Sequence, residues 1–122
     1  MEGGATVLVV DDDQALRMLC RVNLELEGHR VLEAATLAEA RELLADAEVD
    51  VVLLDVHVGR DDGRTLLDEI RAGASGARVA LFSGSVGFDF EPPSEVDAVV
   101  SKPFSLEVLA STVERLAAQP SR

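Results

Sequence analysis

Short runs of apolar, β-branched residues alternate along this chain with segments of helical periodicity. Four runs are uniformly apolar and a fifth is weaker; they cover residues 6–10, 49–54, 79–82 and 97–100, and residues 30–33. Each run is too short for a helix and too apolar for a strand with one face in water, so we expect strands covered on both faces. This alternation predicts an α/β fold with a doubly wound, parallel sheet and right-handed crossovers, in a single domain over residues 1–122 with its core at about 6–116.

The segments between the runs each carry one apolar face with a repeat of three to four residues. The predicted core positions are Leu16, Leu19, Cys20 and Leu24; Leu37, Ala40, Leu43, Leu44 and Ala47; Leu66, Leu67 and Ile70; and Leu106, Leu109, Ala110, Val113 and Leu116. Thr36 and Glu39 have the spacing of a capping box, and Ser105 is a candidate N-cap. Residues 84–95 contain two glycines and two prolines and no apolar stripe, which predicts an irregular or short fourth helix.

Five strands with five crossover segments fit the flavodoxin-like strand order 2-1-3-4-5. In that order, ligands bind beyond the carboxyl ends of the strands, where the first and third strands are neighbours. Functional residues are therefore expected directly after the apolar runs.

The charge of the chain limits its partners. It has 11 basic and 23 acidic residues and a net charge of −12, which repels nucleic acids and anionic membranes. We therefore expect no direct contact with either nucleic acids or anionic membranes.

No apolar run approaches the ~18 residues of a membrane span, and no signal peptide pattern opens the chain. A single cysteine, Cys20, cannot form an internal disulfide, which favours a reducing, cytoplasmic location.

Polar residues with useful chemistry follow four of the five runs. They are Asp11, Asp12 and Asp13 after the first run, Asp55 after the third, Ser83 after the fourth and Lys102 after the last. Asp13 is interpreted as a carboxylate at a helix N-terminus, where the helix dipole favours it.

Because the first and third strands are neighbours, we expect Asp11, Asp12 and Asp55 to converge. Two carboxylates about 4 Å apart repel by roughly 4 kcal/mol at an effective dielectric constant of about 20, so the cluster calls for a cation. Oxygen ligands select a hard ion, Mg²⁺ or Mn²⁺. With the ammonium group of Lys102 and the hydroxyl of Ser83, this set suits a phosphoryl group carried on a carboxylate.

The segments VLVVDDD, DVVLLDVHVGRDDG, VALFSGS and VVSKPF resemble, in order and spacing, the receiver domain of bacterial two-component response regulators. The resemblance implies that Asp55 accepts a phosphoryl group from the phosphohistidine of a sensor histidine kinase or phosphotransfer protein. It implies Mg²⁺ bound directly by Asp12, through water by Asp11, and also by Asp55 and the backbone carbonyl of His57. Such a chain is not an enzyme but an acceptor that assists its own phosphorylation and dephosphorylation.

The resemblance also assigns roles to the remaining strand-end residues. Ser83 is similar to the hydroxyl that turns toward the phosphoryl group, and Lys102 to the lysine that pairs with its oxygens, followed by a cis bond to Pro103. Asp62 and Gly63 match the turn that opens the third helix.

The chain departs from the family pattern around this site. Gly59 replaces a proline four residues after Asp55 and should loosen that loop, and Val99 stands where a switch aromatic is expected. His57 and Ser85 occupy variable positions that tune the lifetime of the phosphoryl group. The interval between Ser83 and Lys102 is also a few residues short. These departures favour intact chemistry with an altered signalling surface near the ends of the fourth and fifth strands, read by a downstream protein.

Two other functions fit parts of the sequence. A pseudo-receiver would bind partners without phosphorylation. A haloacid-dehalogenase-like phosphatase would use Asp11 and Asp13 as its D-x-D pair, but it needs an acidic pair on a later strand, and no Asp-Asp pair follows Ser83. His29 is interpreted as structural and Cys20 as core. The chain ends soon after its last helix, so we expect a stand-alone receiver or one domain of a longer protein.

Overall fold

Five parallel strands form the centre of the structure. The computed structural model describes residues 4–73, 76–83, 96–102 and 104–118. Within these ranges the elements are β1 (Thr6–Val10), α1 (Gln14–Leu26), β2 (Arg30–Ala34), α2 (Leu37–Asp46), β3 (Val51–Asp55), β4 (His57–Val58), β5 (Asp61–Asp62), α3 (Arg64–Ala72), β6 (Arg78–Ser83), β7 (Ala98–Ser101) and α4 (Leu106–Ala118). None of the helices in the described ranges is long and apolar enough to cross a bilayer.

The strands of the main sheet lie in the order β2-β1-β3-β6-β7. This is the predicted order 2-1-3-4-5, because β6 and β7 are the fourth and fifth strands of that sheet. Strand β1 lies between β2 and β3, with Val7 opposite Val31 on one side and Val51 on the other. The segment predicted to be irregular, 84–95, and the bond to Pro103 lie outside the described residues.

The apolar strands are covered on both faces, as their composition predicts. Helices α2 and α3 pack on one face, where Leu8 and Val10 of β1 join the core. Helices α1 and α4 pack on the other face, where Val7 and Val9 join it. All four of these β1 side chains are fully buried, so a side-chain period of two fills two separate cores.

The capping signals of the sequence are confirmed. Thr36 Oγ1 accepts a hydrogen bond from the backbone N–H of Glu39, whose carboxylate accepts one from the N–H of Ala35. Ser105 Oγ accepts from the N–H of Val108 at the start of α4. The Asp13 carboxylate accepts from the N–H groups of Ala15 and Leu16, as expected for an N-cap.

Two of the predicted core leucines are exposed. Leu19 is 44% exposed and Leu106 is 42% exposed. The sheet covers a narrower strip of each helix than the apolar stripe suggests; in α1 the buried residues are Cys20 and Leu24. Cys20 lies in the core as predicted, and burial raises the pKa of its thiol to about 12.

His29 is buried at the edge of the fold, and its Nδ1 accepts a hydrogen bond from the N–H of Ala5. The prediction that His29 is structural is therefore confirmed.

Ion pairs close the amino edge of the sheet, which is the edge where the five parallel strands begin. Asp97, directly before β7, accepts from Arg71 of α3 at 2.6 Å and from the N–H of Val79 at 2.8 Å. Arg78 lies 3.4 Å from the same carboxylate, whose side chain is 5% exposed. These contacts tie α3, β6 and β7 together at the end of the molecule away from the predicted site.

Candidate functional site

The predicted site residues meet at the carboxyl edge of the sheet, where the five parallel strands end. Asp11 directly follows β1, Asp55 is the last residue of β3, and Lys102 directly follows β7. Ser83 is the last residue of β6, in register with Ser101 of β7. Parallel pairing therefore brings together groups that are distant in sequence, such as Asp11 and Lys102.

The three predicted ligand carboxylates form a cluster. Asp11, Asp12 and Asp55 each offer an oxygen atom, and these atoms lie within 4.8 Å of one another. Asp11 is 1% exposed and Asp12 is exposed, so the cluster runs from the core to the surface. Asp11 Oδ1 accepts from the N–H of Asp13, and Asp55 Oδ1 accepts from the N–H of His57. These hydrogen bonds hold both carboxylates in the cluster.

Lys102 lies against two members of this cluster. Its Nζ donates to Asp11 Oδ2 at 2.9 Å and to Asp55 Oδ2 at 3.2 Å. The same ammonium group lies 5.8 Å from the ring centroid of Phe82, which packs against Phe104. These contacts hold the lysine at the centre of the site. The formal charges of the three carboxylates and the one ammonium group sum to −2.

Burial and charge shift two pKa values in the cluster. Burial raises the pKa of the Asp11 carboxyl group, and the Asp55 charge adds to that effect. Burial by itself would lower the pKa of Lys102, but hydrogen bonds and attraction to Asp11 and Asp55 raise it above its ordinary value. Lys102 is therefore a fixed positive charge at neutral pH.

A small antiparallel hairpin, β4–β5, follows Asp55. His57 pairs with Asp62 and Val58 with Asp61, and Gly59 in the connecting turn has a φ of +63°. Proline, with its φ near −65°, cannot adopt that conformation, so the glycine supplies the turn. The hairpin fixes the position of the His57 N–H group, which donates a hydrogen bond to Asp55.

Gly63 packs directly against the backbone of Asp55. Its N–H donates to the carbonyl of Val56 at 2.6 Å, and a Cβ atom at this position would overlap the carbonyl oxygen of Asp55. Asp62 accepts from the N–H of Arg64, which confirms the predicted turn that opens α3. Only a residue without a side chain leaves room for the end of β3.

Replacing Gly63 with alanine should therefore destabilise the fold by about 3 kcal/mol, because two backbone segments would have to separate. Gly59→Ala is the matched control: nothing lies within 4 Å of a Cβ there, so only the positive φ is strained, at about 1 to 2 kcal/mol. Urea unfolding measures both losses. Equal losses for the two variants would contradict this account of Gly63.

Arg17 also contacts the site, although it was not among the predicted site residues. Its Nη1 donates to the backbone carbonyl of Asp11 at 2.7 Å, and its Nε donates to Glu33 of β2 at 3.1 Å. One feature of the sequence could have indicated this contact. Glu33 is a carboxylate in a short strand, and Arg17 and Arg21, which are one helical turn apart in α1, both donate to it.

The chain is similar to known proteins over most of its length. The family model described as the response regulator receiver domain matches residues 7–114. The chain is 38% identical to the sensor kinase CckA of Brucella abortus over 121 residues, covering 95% of this chain and 13% of the kinase.

Two solved structures are close in fold. The receiver domain of NtrX from Brucella abortus has a TM-score of 0.83 and 27% identity, covering 93% of this chain and 99% of that one. The receiver domain of Francisella response regulator 1452 has a TM-score of 0.84 and 25% identity, covering 93% and 97%. The chain spans half or less of the length of several curated relatives that it matches.

Proposed function

Because this chain belongs to the response regulator receiver domain family, we propose that Asp55 accepts a phosphoryl group from the phosphohistidine of a sensor histidine kinase or phosphotransfer protein. The observation that carries the proposal is the cluster of Asp11, Asp12 and Asp55 with Lys102 bonded to two of its members. Asp55 is the candidate acceptor because its side chain, 14% exposed, is reachable from the surface, whereas that of Asp11 is buried.

The donor set fits a hard divalent cation. Its members are carboxylate oxygens, and the excess of two negative charges matches Mg²⁺ or Mn²⁺. Asp12 would hold the ion directly, Asp11 through water, and Asp55 and the backbone carbonyl of His57 would complete the protein ligands. The bound ion would act as a Lewis acid for the phosphoryl oxygens.

Each residue of the site would then have its own role in the phosphoryl transfer. A carboxylate oxygen of Asp55 attacks the phosphorus atom, the new P–O bond forms, and the P–N bond to the donor histidine breaks. The departing imidazole takes a proton from solvent and leaves neutral. Lys102 pairs with the phosphoryl oxygens, and the hydroxyl of Ser83 donates to one of them. Because positions are preset by the sheet, little reorganisation is needed during the step.

The signal would leave through the surface near the ends of β6 and β7, toward a downstream protein. Val99 lies on β7 and is 39% exposed, so the aromatic rotation expected in relatives has no counterpart at this position. The net charge of −12 disfavours nucleic acid as a direct partner of this chain. We place this signalling step in the cytoplasm.

The phosphatase alternative is weaker on geometric grounds. It requires Asp13 as a second catalytic carboxylate, but Asp13 caps α1 through two backbone N–H groups. It also leaves Asp55 without a role.

Incubation with acetyl phosphate and Mg²⁺ should attach one phosphoryl group to each chain, measured as a mass increase of the intact protein. The adduct should be released by hydroxylamine, as acyl phosphates are, and a chelator in place of Mg²⁺ should prevent its formation. Absence of uptake with both Mg²⁺ and Mn²⁺ would contradict the proposal and favour a pseudo-receiver that binds its partner unmodified.

A further inference from the structure

A side-chain network runs from α1 through β2 to the acidic cluster. Glu33 accepts from Arg17 on one carboxylate oxygen and from Arg21 on the other, at 3.1 and 2.9 Å. The side chain of Arg17 is 13% exposed and that of Arg21 is 49% exposed. The two arginines therefore share one partner but differ in burial and in what else they contact.

Only the first of these two arginines reaches the site. Arg17 Nη1 donates to the backbone carbonyl of Asp11 at 2.7 Å. The backbone N–H of Asp11 donates to the carbonyl of Ala34 at the end of β2. Asp11 is thus held on both sides of its Cα atom, once by β2 directly and once through Arg17 and Glu33.

Because the N–H and the carbonyl group of Asp11 are both held, the direction in which its side chain leaves the backbone is set. Asp11 directly follows β1, and its N–H extends the pairing with β2 by one hydrogen bond, to the carbonyl of Ala34. A partly buried arginine with a planar fork can bind a carbonyl and a carboxylate at the same time, and its own position is set by Glu33.

We propose that Arg17 is a positioning residue of the cation site, held by Glu33, which aims the Asp11 carboxylate toward Asp12 and Asp55. The proposal rests on the proposed function, since it assumes a divalent cation at these carboxylates. Groups that orient metal ligands in this way typically contribute 10- to 100-fold to metal affinity.

Charge alone predicts the opposite sign for Arg17. A positive group beside the cluster repels a divalent cation, so its removal would tighten binding if the arginine acted only through its charge. A purely structural role would lower the stability of the fold and leave the affinity of the folded protein unchanged. The direction of the affinity change therefore separates the three roles.

The test measures Mn²⁺ affinity by electron paramagnetic resonance in the full chain and in Arg17→Gln, with thermal unfolding to define the folded range. We expect Arg17→Gln to weaken Mn²⁺ binding about tenfold. The matched control is Arg21→Gln, which removes the same charge and a contact to the same Glu33 but no contact to Asp11; its affinity should stay within about twofold of the original. Arg17→Lys should restore part of the loss, because lysine offers a single donor group in place of the fork.

Unchanged or tighter Mn²⁺ binding in folded Arg17→Gln would overturn the role of Arg17. If that variant does not fold, Glu33→Gln tests the contact between Glu33 and Arg17 while keeping the arginine. Glu33→Gln should weaken Mn²⁺ binding. Unchanged Mn²⁺ affinity in this variant would overturn the proposal. A wild-type chain that does not bind Mn²⁺ would overturn the cation site itself and the Arg17 proposal with it. The proposed function and this inference can therefore fail separately.

Discussion

Replacing Asp55 with asparagine is expected to abolish phosphoryl uptake from acetyl phosphate while keeping the fold. The amide has nearly the shape of the carboxylate, and its oxygen can still accept from the N–H of His57. It is not a nucleophile, however, so no acyl phosphate can form. Stability should change by no more than about 1 kcal/mol, because the lost ion pair with Lys102 is offset by reduced repulsion from Asp11. Mass spectrometry of the intact protein measures the uptake.

The matched control for Asp55→Asn is Asp50→Asn, directly before the other end of β3. Asp50 binds the N–H of Thr6 at the amino edge, so its variant should keep full uptake. Borohydride reduction converts an aspartyl phosphate to homoserine and identifies the labelled position in wild type. Homoserine at Asp11 instead of Asp55 would contradict the acceptor assignment and support the phosphatase alternative.

Replacing Asp12 with alanine is expected to abolish Mg²⁺ binding and, with it, phosphoryl uptake. Asp12 is exposed, and within the described residues its side chain makes no hydrogen bond, so the variant removes a proposed ligand without removing a fold contact. The loss of one carboxylate also relieves repulsion inside the cluster, and the melting temperature should stay constant or rise. Calorimetric titration with Mg²⁺ measures the binding.

The neighbouring residue provides the control. Asp13→Ala removes the same charge one position later, but Asp13 caps α1, so this variant should lose about 1 kcal/mol of stability and retain Mg²⁺ binding. Asp12→Ala is thus expected to lose Mg²⁺ binding and keep its stability, whereas Asp13→Ala is expected to keep Mg²⁺ binding and lose stability. Full phosphorylation of Asp12→Ala in the presence of chelator would be inconsistent with the cation site.

The sheet and its acidic cluster could be predicted because both follow from strand composition. Uniformly apolar runs indicate strands buried on two faces, and parallel strands bring their carboxyl ends to one edge. Together with the strand order, in which the first and third strands are neighbours, that rule connects Asp11 with Asp55, which are 44 positions apart in the chain. It needs no knowledge of side-chain contacts.

The contacts that hold the site in place could not be predicted in this way. Strands of two residues leave no periodic pattern, so the hairpin after Asp55 had no signal, and Gly59 suggested a loose loop. The close approach of Gly63 to Asp55 exists only after folding. Arg17 folds back along its own helix to a carbonyl group, which no spacing rule describes. Leu19 shows the related error, since an apolar stripe does not reveal how much of it the sheet will cover.

Aspartates pair with basic side chains at both edges of this sheet. Positive charge is in excess around the aspartate at the amino edge, and negative charge is in excess at the carboxyl edge. Asp97 at the amino edge has two arginines and a backbone N–H group, so its negative charge is more than matched. At the carboxyl edge, one lysine serves a cluster of three carboxylates. We therefore expect substitutions of Asp97 and its arginine partners to change how much folded protein a cell contains, and substitutions within the acidic cluster to change what the folded protein does. Selection can act on signalling at one edge while the other preserves abundance, and the two properties can evolve with little interference.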